Sequence, residues 1–173
     1  MYNAPSQARP SAPLVRVPTG RQLDGIFISE RPYRFRTHWH LGRSLPCVVH
    51  ACPLCQAHSP ARIYGYVGAL VKPLGTRAVV ELPHGALIEL ASMAEERGSI
   101  AGLGFRAWRA DERRTAMVQL RTFDPAQKPD NLPAIDVVGV LCTLWEVPQP
   151  KAGECEDAHA REVRAALWTK FGP

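Results

Sequence analysis

The sequence predicts a mostly β domain: a small barrel of five or six short strands, one helix between strands near its middle, and a second helix at the C-terminus. Three observations predict it. Short runs rich in β-branched and aromatic residues recur between residues 21 and 146, separated by Gly, Pro and polar turns. One stretch among them, residues 85–98, switches to helical spacing. A loop carrying three of the five cysteines, residues 47–60, interrupts the strands early. Hydrophobic residues are 46% of the 173, enough to bury a core, so global disorder is excluded.

The elements follow in order. Residues 1–20, with Pro5, Pro10, Pro13 and Pro18, read as a flexible Pro-rich arm. Residues 21–46 read as strands: GIFIS, then the alternating RPYRFRTHWH. CVVHACPLCQAHSP (47–60) is a compact loop. The strand-like runs RIYGYVGALV, TRAVVEL, GFRAWRA, AMVQLRTF and DVVGVLCTLWEV come next. The central helix is GALIELASMAEERG, with Leu87, Leu90, Ala91 and Ala94 at helical spacing and Gly98 as its stop. ADERR (110–114) reads as a hairpin turn and PQPKAGEC (148–155) as a linker. A last helix covers about 156–170, with Val163, Ala166, Leu167 and Lys170 on one side. The organisation is thus an arm (1–20), a domain (21–147) with a zinc knuckle at 38–58, and a linker with a C-terminal helix (148–173). Among small barrels, the oligonucleotide-binding (OB) fold matches best, because it places a helix between strands.

The cysteine loop is the sharpest chemical signal. Cys47, Cys52 and Cys55 form C-x4-C-x2-C, and Cys52-Pro-Leu-Cys55 is a knuckle-type turn that presents two thiolates to one tetrahedral ion. Zinc takes four ligands, and the fourth is expected to be histidine. His38 and His40 share a face of their strand, and this pair is favoured, with His38 slightly ahead. His58 is the rival, while His50 sits awkwardly between two cysteines. Four protein ligands close the shell, which makes the ion structural. A redox CxxC belongs between a strand and a helix of a βαβ unit, a context absent here. Cys142 reads as core and Cys155 as a free thiol.

Charge is uneven. Residues 1–80 carry ten Arg or Lys against Asp24 and Glu30, a net +8, and residues 81–173 carry eleven against fourteen acids, a net −3, together the +5 of the chain. Such asymmetry points to a basic surface built by the first half and to a polyanion partner. Aromatic and basic residues interleave along RPYRFRTHW, RIYGYV and GFRAWRA. Arginine neutralises phosphate and exposed rings stack on unpaired bases. The candidate contacts are Arg31, Tyr33, Arg34, Arg36, Trp39, Arg43, Arg62, Tyr64, Lys72, Arg77, Arg106 and Trp108. Phe27, Phe35, Tyr66 and Trp145 are assigned to the core. The motifs DxD, HEXXH, GxSxG and the P-loop are absent, so no catalysis is expected. No run reaches the roughly 18 apolar residues of a membrane span, and the N-terminus has no apolar signal region.

The segment Arg36-Thr-His-Trp, then Gly42-Arg43-Ser44-Leu45-Pro46-Cys47-x4-Cys52-Pro-Leu-Cys55, then Arg62 and Gly65-Tyr66-Val67 resembles small zinc-containing OB-fold proteins of phages and mobile elements. It is loosely similar to the helix-destabilising protein of T-even phages. The resemblance covers about residues 25–70. It implies single-stranded DNA binding, with zinc on the three cysteines and an upstream histidine. It further implies work beside replication or recombination proteins, in the bacterial cytoplasm at the nucleoid. An RNA-binding module or a zinc-stabilised protein-binding adaptor fits the same residues. The acidic tail common among such proteins is missing; Glu154, Glu156 and Asp157 precede a helix bearing Arg161, Arg164 and Lys170.

Overall fold

The computed structural model describes residues 11–113, 117–126, 131–132, 134–151 and 156–171, with the side chains of 156–160 and 171 left aside. Twelve elements run in order: β1 (Leu14–Arg16), β2 (Leu23–Phe27), β3 (Tyr33–His40), β4 (Arg43–Pro46), α1 (Pro53–Gln56), β5 (Ala61–Val71), β6 (Thr76–Pro83), α2 (His84–Arg97), β7 (Gly104–Arg109), β8 (Val118–Phe123), α3 (Val137–Trp145) and α4 (Glu156–Phe171).

The eight strands form one open, branched sheet rather than a closed barrel. One path runs β1-β6-β5-β2-β7-β8, and β3 branches from β5 carrying β4. The long β5 makes the branch. Its last residues, Ala69–Val71, pair with β2, and its first, Ala61–Tyr66, pair with β3. All pairings are antiparallel except β1 with β6. Among the described strands, no pairing joins β8 to β1 or to β4, so the OB barrel expected from the strand rhythm does not close.

Helices cover both faces of the β5–β6 centre, which explains the open sheet. Ala86, Leu90 and Ala94 of α2 pack on Val67, Ala69, Val80 and Leu82, with the stacked rings of Phe27 and Phe105 (4.4 Å) beside them. Gly65 lets α2 approach closely: a Cβ there would lie 2.9 Å from Leu87. Gly98 ends α2 in the left-handed conformation (φ 77°), as its position predicted. The opposite face holds Tyr66, Val79, Val140, Leu141, Trp145, Val163 and Leu167. Both faces of a barrel strand cannot be buried by helices in this way; here each residue parity of β5 and β6 has its own helical cover.

Three expectations are corrected. DVVGVLCTLWEV, read as a strand, is helix α3. Asp136 caps it by accepting from Gly139 N at 2.9 Å, and Val137, Val140, Leu141 and Trp145 are buried at helical spacing. The apolar residues between them hid that period. Residues 14–16 of the expected arm are strand β1, anchored by the buried Ala12 and Val17; residues 1–10 lie outside the described residues. PLCQ in the cysteine loop is the short helix α1, with Pro53 in its first turn. The core assignments of Phe27, Phe35, Tyr66 and Trp145 agree with the packing, where the last three rings meet edge to face. Cys142 is buried, and Cys155 lies outside the described residues. Among the described residues, no helix is long and apolar enough to cross a membrane.

Candidate metal centre and adjoining basic cleft

Four side chains converge at the β3–β4 end of the sheet: His38, Cys47, Cys52 and Cys55, with ligand atoms all within 4.8 Å of one another. Each is placed by backbone pairing. His38 sits between Leu45 of β4 and Ala61 of β5 and is 1% exposed. Cys47 prolongs the β3–β4 hairpin, its N–H donating to Arg36 O at 2.8 Å. Cys52 and Cys55 flank the first turn of α1, with Gln56 N–H donating to Cys52 O. Leu54 between them is buried beside Leu45, which locks the turn to the hairpin.

The geometry suits a tetrahedral ion. His38 Nδ1 lies 2.9 Å from Ser59 O, so this nitrogen carries the proton and donates. The lone pair of Nε2 then faces the sulfurs of Cys52 and Cys55, both at 3.5 Å, and Cys47 and Cys55 sulfurs are 3.6 Å apart. Zinc bond lengths place tetrahedral ligands about 3.6 Å apart for N to S and about 3.8 Å for S to S. A disulfide would need about 2.05 Å between sulfurs, so the cysteines are free. The Ser59 carbonyl plays the outer-sphere part that fixes a metal-binding histidine in one tautomer.

Electrostatics point the same way. Burial opposes ionisation of Cys52, but the N–H groups of Cys55, Val48 and Leu54 aim at its sulfur and hold the thiol below its ordinary value. Burial of its sulfur, together with the neighbouring Cys47 and Cys52, pushes Cys55 up to about 12. Burial lowers the His38 pKa, against the bond to Ser59 and with help from the nearby Arg36 and His40, which favours the neutral imidazole. Without a cation, mutual repulsion opposes ionisation of all three sulfurs at this spacing. The loop pays in backbone strain: Val49, Ala51 and His58 all have positive φ (58°, 51° and 57°), which is rare for a β-branched residue.

His40, the partner candidate to His38, stands outside this group. It pairs with Arg43 next to the hairpin turn, two residues too far along β3. His58, left-handed after α1 with its backbone N–H donating to Cys55 O, is not among the grouped residues.

A basic cleft adjoins the metal group. β6 ends at Pro83 opposite Tyr64, so Ala61–Ile63 have β3 on one side and no described strand on the other. The space left is an open cleft of about 570 Å³ lined by Arg36, Ala61, Arg62, Ile63, Tyr64, Pro83 and His84. No carboxylate is in that lining. Arg36 and His38 leave β3 on one face, and Ala61, opposite His38, lines the cleft itself, so the metal loop and the cleft share their backbone.

The other candidate contacts are dispersed. Arg34 and Tyr33 (41% exposed) continue β3 beyond Arg36, and Arg31 is exposed just before it. Trp39 is 57% exposed with the Arg16 guanidinium 4.5 Å over its ring, and Arg16 in turn binds the buried Glu81 at 2.6 Å. Arg43 binds Glu146 at 3.1 Å. Lys72 and Arg77 flank the β5–β6 turn, roughly 23 Å along the strands from Tyr64 at 3.3 Å per residue. Arg106 is held by Asp24 at 3.0 Å, and Trp108 lines a separate hollow with Arg21, Arg109, Asp111 and Glu112. Sequence reasoning did not place His84 among the candidate contacts and passed over Ser59, Arg16 and Glu81. Only the fold shows them near the site.

Comparison with known protein families, with curated proteins and with solved structures found no match for this chain.

Proposed function

We propose that the chain is a single-stranded DNA-binding protein with one structural zinc ion on His38, Cys47, Cys52 and Cys55. The observation that carries the reading is the cleft of Arg36, Arg62, Tyr64 and His84, basic, free of carboxylates and built on the strands that hold the metal group. The guanidinium groups would meet phosphates and the exposed Tyr33 would stack on bases, while Tyr64, whose ring packs on the α3 cluster, would line the cleft. The ion's part is mechanical: it ties the 47–60 loop to β3 and fixes where β5 begins. The resemblance to zinc-containing phage and mobile-element proteins favours DNA and a role in replication or recombination. This reading does not require a closed OB barrel, since an exposed sheet with an adjoining cleft supplies the same chemistry.

The test is fluorescence anisotropy of labelled oligo-dT, oligo-U and duplex DNA at two salt concentrations, on protein of known zinc content. The expected result is oligo-dT binding well above duplex. Each of Arg36→Ala and Arg62→Ala should flatten the log–log salt slope by about 0.7, the value for one phosphate contact on a single strand. Equal or tighter duplex binding, or no binding by zinc-loaded protein, overturns the proposal; tighter oligo-U binding shifts it to RNA.

A further inference from the structure

The C-terminal helix is physically joined to the metal loop. Trp168 Nε1 donates to Ala51 O at 2.9 Å, and Ala51 immediately precedes the ligand Cys52. α4 also packs against α1, which carries Cys55. A second tie lies beside it: Lys170 Nζ donates to Glu146 O at 3.0 Å and to Glu146 Oε2 at 2.6 Å, and Glu146 also binds Arg43 of β4. Val163 and Leu167, one turn apart on the same helix, are buried against the α3 cluster that contains Trp145.

The loop that receives Trp168 carries only a small apolar cluster, with the part-buried Cys47 and Val48 beside it and Val48 touching the α3 cluster. Its own apolar cluster among the described residues is Leu45, Cys52 and Leu54, and Val49 and Ala51 are strained. The Ala51 carbonyl adjoins Cys52, so gathering the cysteines and presenting this carbonyl to Trp168 involve the same few residues. We infer that α4 is a latch on the metal centre: metal binding and α4 docking are one coupled equilibrium, so metal loss frees α4 and undocking of α4 loosens the metal. Linkage requires that the two effects be reciprocal. Release would uncover the apolar face formed by Val163 and Leu167, so the metal governs whether that face is offered. The inference rests on the metal part of the proposed function and is independent of nucleic-acid binding.

The full-length protein is reconstituted with zinc and its metal content measured. Hydrogen exchange is then followed by mass spectrometry before and after chelation. Peptides spanning α4 should lose protection on chelation, while those of α2 keep theirs. Conversely, Trp168→Phe, which keeps a packed ring and removes the N–H, should retain one zinc but bind it about five times more weakly than the parent in competition with a chromophoric chelator. Lys170→Met should act in the same direction. Unchanged α4 protection in the chelated protein, or parental zinc affinity in both variants, overturns the latch. Failure of the parent to take up zinc overturns the metal reading itself and the latch with it.

Discussion

The two ends of the sheet are stabilised by different physics. Under α2, fourteen buried apolar residues pack together among the described residues, from Val17 through Phe27 and Leu90 to Phe105 and Ala107. Around the cysteine loop there are three, one of them a ligand. The α2 end has regular hydrogen-bonded strands and a capped helix. The loop end has three non-glycine residues at positive φ and four ligand side chains crowded together. Apolar burial suffices for the first, at about 25 cal/mol per Å². The second has less apolar area of its own, and its grouped His and Cys side chains could hold a metal ion that would add to it. The basic cleft lies where the two regimes meet, with His84 from the α2 end and Arg36 and Arg62 from the cysteine-loop end.

Ways to break this contrast are ordered by expected effect. Cys52→Ser should abolish zinc binding and unprotect residues 47–60, while α2 and its strands stay protected; hydrogen exchange with a zinc assay reads both. Collapse of α2 protection in the same variant would show that the ends are not separately held. Leu90→Ala does the converse. Leu90 is fully buried, and its truncation should cost about 2–5 kcal/mol in urea unfolding, with zinc content unchanged.

Val49→Gly sharpens the comparison instead of breaking it. Val49 is 53% exposed, so little packing is lost, and glycine relieves its positive φ. A gain of about 1 kcal/mol is expected after the extra flexibility of the unfolded chain is subtracted. A loss would mean that the loop is not strained. The smallest effect is in pH. Hydrogen bonds from Lys170 and Arg43 hold the Glu146 carboxyl below its ordinary 4.5. Its contribution is therefore complete above pH 4.5 and declines as the pH falls through the lowered folded value. Protection at the end of α4, measured against the intrinsic exchange rate at each pH, should fall in that acid range, and Glu146→Gln should remove the dependence.

Part of this molecule was legible residue by residue. The alternation in RPYRFRTHWH and TRAVVEL marked β3 and β6, and Leu87, Leu90 and Ala94 with Gly98 marked α2, because local patterns carry the burial period. The C-x4-C-x2-C spacing marked three of the four grouped ligand residues, because the knuckle is a local turn. His38 over His40 was not decided by parity, which the two share. It was decided by register: His38 lies opposite Leu45 and Ala61, where the hairpin meets the returning chain. Likewise, α3 was hidden because a uniformly apolar run shows no period until something covers one side of it.

The sequence by itself determined the strand rhythm, the central and final helices, the cysteine turn and the basic bias of the first half. These are properties of near neighbours in the chain and of composition. Only the tertiary structure decided that the sheet stays open, that β5 divides between β2 and β3, that Arg36, Arg62 and His84 share one cleft, and that Trp168 reaches Ala51. Each of these depends on residues about 20 to 117 positions apart, and such contacts are fixed by what packs on both faces of the sheet rather than by any local pattern.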